Sequence, residues 1–150
     1  ALDEINLIEP GENYGWPDYE GDETSDDTVA PVIHSGDNTW APSGLTAHGD
    51  VLYMAGLRGE AVYHFDSETE QLEAFVEDYG RIRDVLADDN KLYILTNNTD
   101  GRGNPDDTDD KLLEVELEEC LIFANVCSNM ENKEKGASAF VITIYRRRCP

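Results

Sequence analysis

The sequence predicts an all-β chain, an incomplete β-propeller of about three antiparallel blades. Two observations carry this. From residue 41 to residue 117, short apolar runs alternate with Gly-, Asp- and Asn-containing turns, as in a meander of short strands. The pattern then recurs with a displacement of 40 residues: Leu45 corresponds to Val85, Ala47 to Ala87, Asp50 to Asn90, and Leu52-Tyr53 to Leu92-Tyr93. A four-strand unit repeating at this period marks a propeller blade, whereas a sandwich supplies short strands without that repeat. Rings close with roughly 4 to 8 blades of about 40 to 45 residues. The 150 residues here supply only part of one.

The elements follow in order. Residues 3–8, Asp-Glu-Ile-Asn-Leu-Ile, predict a short strand that runs into the turn Glu9-Pro10-Gly11-Glu12-Asn13. Tyr14-Gly15-Trp16-Pro17 places two large aromatics around a glycine, and Asp18 to Thr28 is too acidic to be buried. Pro31-Val32-Ile33-His34 predicts an edge strand, where proline is tolerated. The first full unit has strands near 44–47, 51–57, 60–65 and 71–76. The second opens at Tyr79-Gly80-Arg81-Ile82-Arg83-Asp84-Val85, and a longer loop, Asn98 to Asp110, precedes its third strand at 111–117. Cys120–Val126 and Ala139–Tyr145 are strand-like but fall outside the repeat.

Charge divides the chain at the same place. Residues 1–119 carry 6 basic and 31 acidic side chains, a net charge of −25; residues 120–150 carry 5 basic and 2 acidic ones, net +3, together with all three cysteines and the closing Arg146-Arg147-Arg148. Two segments are therefore expected, 1–119 of propeller blades and 120–150 of unassigned role. An acidity of this size argues against nucleic acid and anionic membranes as partners and suits concentrated salt, where carboxylate repulsion is screened. No apolar run reaches the length of a membrane span. The start, Ala-Leu-Asp-Glu-Ile, has neither an initiator Met nor a secretory signal, so a piece of a longer protein is expected. With no cysteine before Cys120 there is neither a disulfide framework nor a zinc-ligand pattern in the repeats.

Arg81 and Arg83 are the focal candidates. On a strand, residues two apart share a face, so the two guanidinium groups would project side by side. They require an anion between them, either a neighbouring carboxylate such as Asp78 or Asp84 or a bound oxyanion suited to the arginine fork. Asp100-Gly101-Arg102-Gly103-Asn104-Pro105-Asp106-Asp107 has the composition of a calcium loop, but with Gly101 at the sixth position the first would be Thr96, so a solvated loop without metal is expected. Asn97-Asn98-Thr99 spells a glycosylation triplet. His34, His48 and His64 lie in positions typical of surface or packing residues, and no catalytic residue is assigned.

Seven stretches, in order, resemble the carboxy-terminal part of the soluble sugar dehydrogenases that use pyrroloquinoline quinone, the glucose/sorbosone dehydrogenase family. They are Asp3-Glu4-Ile5-Asn6, Gly11–Pro17, Ala41–Leu45, Leu57-Arg58-Gly59, Gly80–Val85, Leu95–Gly103 and Asp109–Leu113. The resemblance implies a six-bladed propeller that oxidises aldose sugars at C1 by hydride transfer to the quinone, with an external electron acceptor and a periplasmic or extracellular location. It implies quinone-binding roles for Arg58, Arg81, Arg83 and Tyr14, and sugar contact for Trp16 and Tyr14. Calcium assists the quinone in the family, but its ligands do not map onto this chain, and the family's histidine base would lie in missing upstream blades. Such a section would be inactive alone. The other reading is a non-catalytic acidic propeller module whose arginines serve structural ion pairs.

Overall fold

A computed structural model describes residues 2–117 and the backbone of Phe140 and Val141. Among the described residues there is no helix, and every strand pairing is antiparallel. The chain forms β1 (Glu4–Leu7), β2 (Ile33–His34), β3 (Pro42–His48), β4 (Val51–Gly56), β5 (Ala61–Asp66), β6 (Gln71–Val76), β7 (Ile82–Asp88), β8 (Lys91–Thr96), β9 (Leu112–Glu116) and β10 (Phe140–Val141). They make three sheets, ordered β10-β1-β2, β3-β4-β5-β6 and β7-β8-β9. The second is a complete four-stranded blade and the third a blade of three described strands, so the chain is part of a propeller. The predicted strand at Cys120–Val126 and the three cysteines lie outside the described residues; of the strand predicted at Ala139–Tyr145, Phe140 and Val141 are described, as β10.

The 40-residue repeat is borne out in the first two strands of each blade. β3 and β7 occupy 42–48 and 82–88, and β4 and β8 occupy 51–56 and 91–96. Both blades carry a bulge at the same place, between Pro42 and Gly44 and between Ile82 and Asp84. The bulges meet. A Cβ on Gly44 would lie 2.2 Å from Asp84 Oδ1 and 2.9 Å from its Cα, so only glycine allows β3 this close to β7. The Ser43 hydroxyl donates to the Ile82 carbonyl (3.1 Å), and the Ala87 amide donates to Thr46 Oγ1 (3.1 Å).

Two apolar layers hold the sheets face to face. Tyr53, Ala55 and Val62 of the first blade pack on Ile82, Val85, Leu92 and Ile94 of the second. Met54 and Phe65, on the opposite face, pack with Ile5 and Trp40. Fully burying side chains such as Phe65, Met54, Leu92 and Ile94 contributes about 1.5–3 kcal/mol each. Asp3 ties the first sheet to the first blade, its Oδ2 accepting from the Thr39 hydroxyl (2.8 Å) and from the amides of Trp40 (2.7 Å) and Ala41 (3.0 Å).

Candidate anion-binding cleft

The loops that follow β4 and β8 lie at the same end of the blades as the residues that precede β3 and β7. There the two blades enclose an open cleft of about 410 Å³, lined by Ala41, Leu57, Arg58, Glu60, Arg81 and Arg102. Three of these six residues are arginines.

Backbone ties fix each wall. In the first blade the Leu57 amide donates to the Ala41 carbonyl (3.1 Å), and the Arg58 and Gly59 amides donate to the Trp40 carbonyl (3.2 and 3.0 Å). This short loop leaves the Arg58 side chain exposed. In the second blade, 40 residues on, the Asn97 amide donates to the Arg81 carbonyl (2.8 Å). Asn98, 4% exposed, holds the turn: its Oδ1 accepts from the Arg81 amide (2.8 Å), and its Nδ2 donates to the Tyr79 carbonyl (2.9 Å) and to Asp109 Oδ1 (3.2 Å). Gly80 permits this contact, with φ at +70° and no Cβ to strike the Asn98 amide group.

Arg81 is 5% exposed. Its guanidinium donates to the Leu57 carbonyl (3.0 Å) and to Asp100 Oδ2 (3.0 Å), and its buried Nε has no partner among the described residues. Burial alone would push the Asp100 carboxyl up. The Arg102 amide and the Arg81 guanidinium outweigh it, and the group sits below the ordinary carboxylate range.

The side-by-side reading of Arg81 and Arg83 requires correction. Arg81 precedes β7, and Arg83 is the extra residue of the bulge, which breaks the period-two alternation. Ile82 and Val85, three residues apart, both enter the core, while Arg81 is buried and Arg83 exposed outside the cleft lining. The carboxylate partner of Arg81 is Asp100, not Asp78 or Asp84; Asp84 Oδ1 accepts from the Val85 amide instead (3.0 Å).

Loop 97–111 is largely exposed, as expected of a solvated loop, and its own carboxylates also organise it. Lys111 Nζ pairs with Asp106 (2.8 Å) and Asp109 (2.9 Å), and Asp110 accepts from the Thr99 hydroxyl and from the Asn98 amide. The Lys111 hydrogen bonds are the leading reason that both Asp106 and Asp109 sit below the ordinary range. Asn97 of the glycosylation triplet donates its side-chain amide to Asp100 (3.1 Å).

The aromatics lie in the loop after β1 and are not part of the cleft lining. The Tyr14 hydroxyl donates to the Leu7 carbonyl (2.8 Å) and accepts from the Glu9 amide (2.7 Å); Trp16 is 39% exposed. None of the histidines lines the cleft. His34 faces Asp22 (3.3 Å) and His64 faces Glu73 (3.7 Å). Sequence reasoning missed Arg102, whose signal was its place as the one basic residue between Asn97 and Asp110.

Both lysines of the described residues are tied to carboxylates, Lys91 to Glu114 and Glu116, Lys111 to Asp106 and Asp109. Arg58, Arg83 and Arg102 make no ion pair among the described residues, despite the excess of acid.

Comparison with known proteins agrees with this architecture. The profile of the glucose/sorbosone dehydrogenase family matches residues 1–113. The chain belongs to that family. Similar solved structures include the PQQ-bound aldose sugar dehydrogenase of Streptomyces coelicolor, 40% identical with a TM-score of 0.71 over 79% of this chain and 37% of that one. A putative oxidoreductase (glucose dehydrogenase) of Thermus thermophilus is 34% identical, with a TM-score of 0.67 over 76% of this chain and 36% of that one. The uncharacterized protein slr1608 of Synechocystis sp. is 32% identical over 67% of this chain and 30% of its own length. This member of the family therefore spans about a third of the relatives it matches.

Proposed function

We propose that this chain is the cofactor-gripping section of an aldose dehydrogenase that uses pyrroloquinoline quinone, located in the periplasm or outside the cell and passing electrons to an external acceptor. The observation that carries the reading is the meeting of Arg58 and Arg81, from two blades, in one cleft where Arg58 lacks a carboxylate partner among the described residues. The residues fit a quinone bearing three carboxylates. Among the described residues the exposed Arg58 fork offers donors without an acceptor, and the buried Arg81 Nε has no partner.

When bound, the quinone supplies the acceptor for a hydride from C1 of the sugar. The chain's own part is to bind and orient. Arg81, held by the Leu57 carbonyl and Asp100, contributes a fixed charge that needs no reorganisation. Arg58 contributes an exposed fork in the cleft, and Arg83 a further exposed fork from the β7 bulge, outside the cleft lining. Tyr14 offers the face of its ring, its hydroxyl being engaged with the β1 end, and exposed Trp16 offers an apolar face to a sugar. The family's general base would lie in upstream blades and its calcium ligands do not map onto this chain, so this section alone would be inactive.

The test uses the full-length protein, titrated with the quinone and calcium while quinone absorbance and aldose-dependent dye reduction are followed. The expected result is saturable uptake with sugar-dependent reduction, both abolished in Arg58→Ala/Arg81→Ala. For Arg81 alone, the Asp100 pair favours the other reading, a non-catalytic acidic module with structural arginines. A correctly folded full-length protein that takes up no quinone would establish that reading instead.

A further inference from the structure

The third cleft arginine has no role in the reading above. Arg102 comes from the loop between β8 and β9, and the repeat does not supply it. Val51 pairs with Asp66 in the first blade and Lys91 with Glu116 in the second, so the third strand is displaced by 50 residues where its neighbours are displaced by 40. The ten extra residues fall between β8 and β9.

These residues are anchored against Arg81. Asp100 uses one oxygen on the Arg81 guanidinium and the other on the Arg102 amide (2.9 Å). A Cβ on Gly103 would lie 2.6 Å from the Asn98 carbonyl and 3.0 Å from Arg81 Cδ, so the loop lies directly on the Arg81 stem. The Arg102 backbone is thus fixed while its side chain is exposed. Four of the loop's five aspartates are engaged, Asp100 with Arg81, Asp106 and Asp109 with Lys111, and Asp110 with Thr99; the fifth, Asp107, makes no ion pair with Arg102 among the described residues. The cleft lining thus carries three guanidinium groups against one carboxylate, Glu60, and the exposed Arg102 fork, which makes no ion pair among the described residues, offers donors that a bound anion can engage.

We propose that Arg102 is an anion-binding residue of this cleft and holds a carboxylate of the bound cofactor. The inference rests on the quinone reading and extends it to a residue that the blade repeat does not contain.

The experiment titrates full-length apoprotein with pyrroloquinoline quinone and with its trimethyl ester, by absorbance, across a series of salt concentrations. Arg102→Ala and Arg102→Gln are compared with wild type and with Lys91→Ala, which removes one positive charge at the opposite end of β8. The loss of a charge-assisted hydrogen bond is expected to weaken binding of the acid about 10- to 100-fold and to flatten its salt dependence. Ester binding should not change, and Lys91→Ala should match wild type. Arg102 variants that bind the acid like wild type, or lose acid and ester equally, would overturn the assignment. Wild-type protein that binds neither compound would instead overturn the quinone reading beneath it.

Discussion

The two blades share one scaffold and differ at one loop. In the first blade, Leu57 to Glu60 turns from β4 to β5 in four residues; in the second, 97–111 connects β8 to β9 in fifteen. Both loops return the same backbone hydrogen bond, Leu57 to Ala41 and Asn97 to Arg81. The scaffold therefore sets where the loop begins, and the side chains on it set what the cleft can hold. The arginines are not at repeated positions: Ala41 stands where the second blade has Arg81, and Asn98 stands where the first has Arg58. Two copies of one unit build an asymmetric basic cleft because the repeat fixes backbone and core and leaves the loop residues free to diverge.

Substitutions in the full-length protein can separate scaffold from loop. The largest loss of stability is expected at the equivalent core positions Met54 and Ile94, 1% and 0% exposed. Replacing either by alanine should cost about 2–5 kcal/mol in chemical denaturation; costs that differ strongly between the blades would break the equivalence. Asn98→Ala comes next, at about 1–3 kcal/mol for each buried group left without its partner. It should also weaken quinone uptake, because the Arg81 amide and the Tyr79 carbonyl lose their anchor. Ser43→Ala removes one bond between the blades and is expected to cost about 0.5–1.5 kcal/mol, with unchanged uptake.

Acid supplies the smallest and most local effect. Asp100, Asp106 and Asp109 have folded pKa values below their ordinary 3.8, so the stability they give loop 97–111 is complete above that value. It is lost as pH falls through the depressed folded values. Loop 57–60 contains no such aspartates. Hydrogen exchange on acidification should therefore expose amides of 97–111 and leave those of 57–60 protected; simultaneous exposure would mean that the carboxylate ties do not hold the loop.

The scaffold was legible in the sequence because apolar spacing and turn residues recur at a fixed displacement. Strands expected at 51–57 and 71–76 form at 51–56 and 71–76. The bulge was not legible as such, since Arg81 and Arg83 satisfy a period of two. The clue was the three-residue interval between Ile82 and Val85, which two core residues on a regular strand would not show. Loop 97–111 read as solvated from its aspartates and is largely exposed, but composition does not reveal that these aspartates bind Lys111, Thr99 and Arg81. Arg81 was found through its spacing from Arg83, and Arg58 through a family motif, but their shared cleft depends on how two blades pack. Arg102 lay within another such motif and was passed over for the same reason.

The most direct test of the central claim is a crystal structure of the full-length protein grown with pyrroloquinoline quinone. The account expects cofactor carboxylates within hydrogen-bond reach of the guanidinium groups of Arg58 and Arg81. Quinone bound elsewhere, with Arg58 turned onto Glu60 or another acid of the chain, would contradict it.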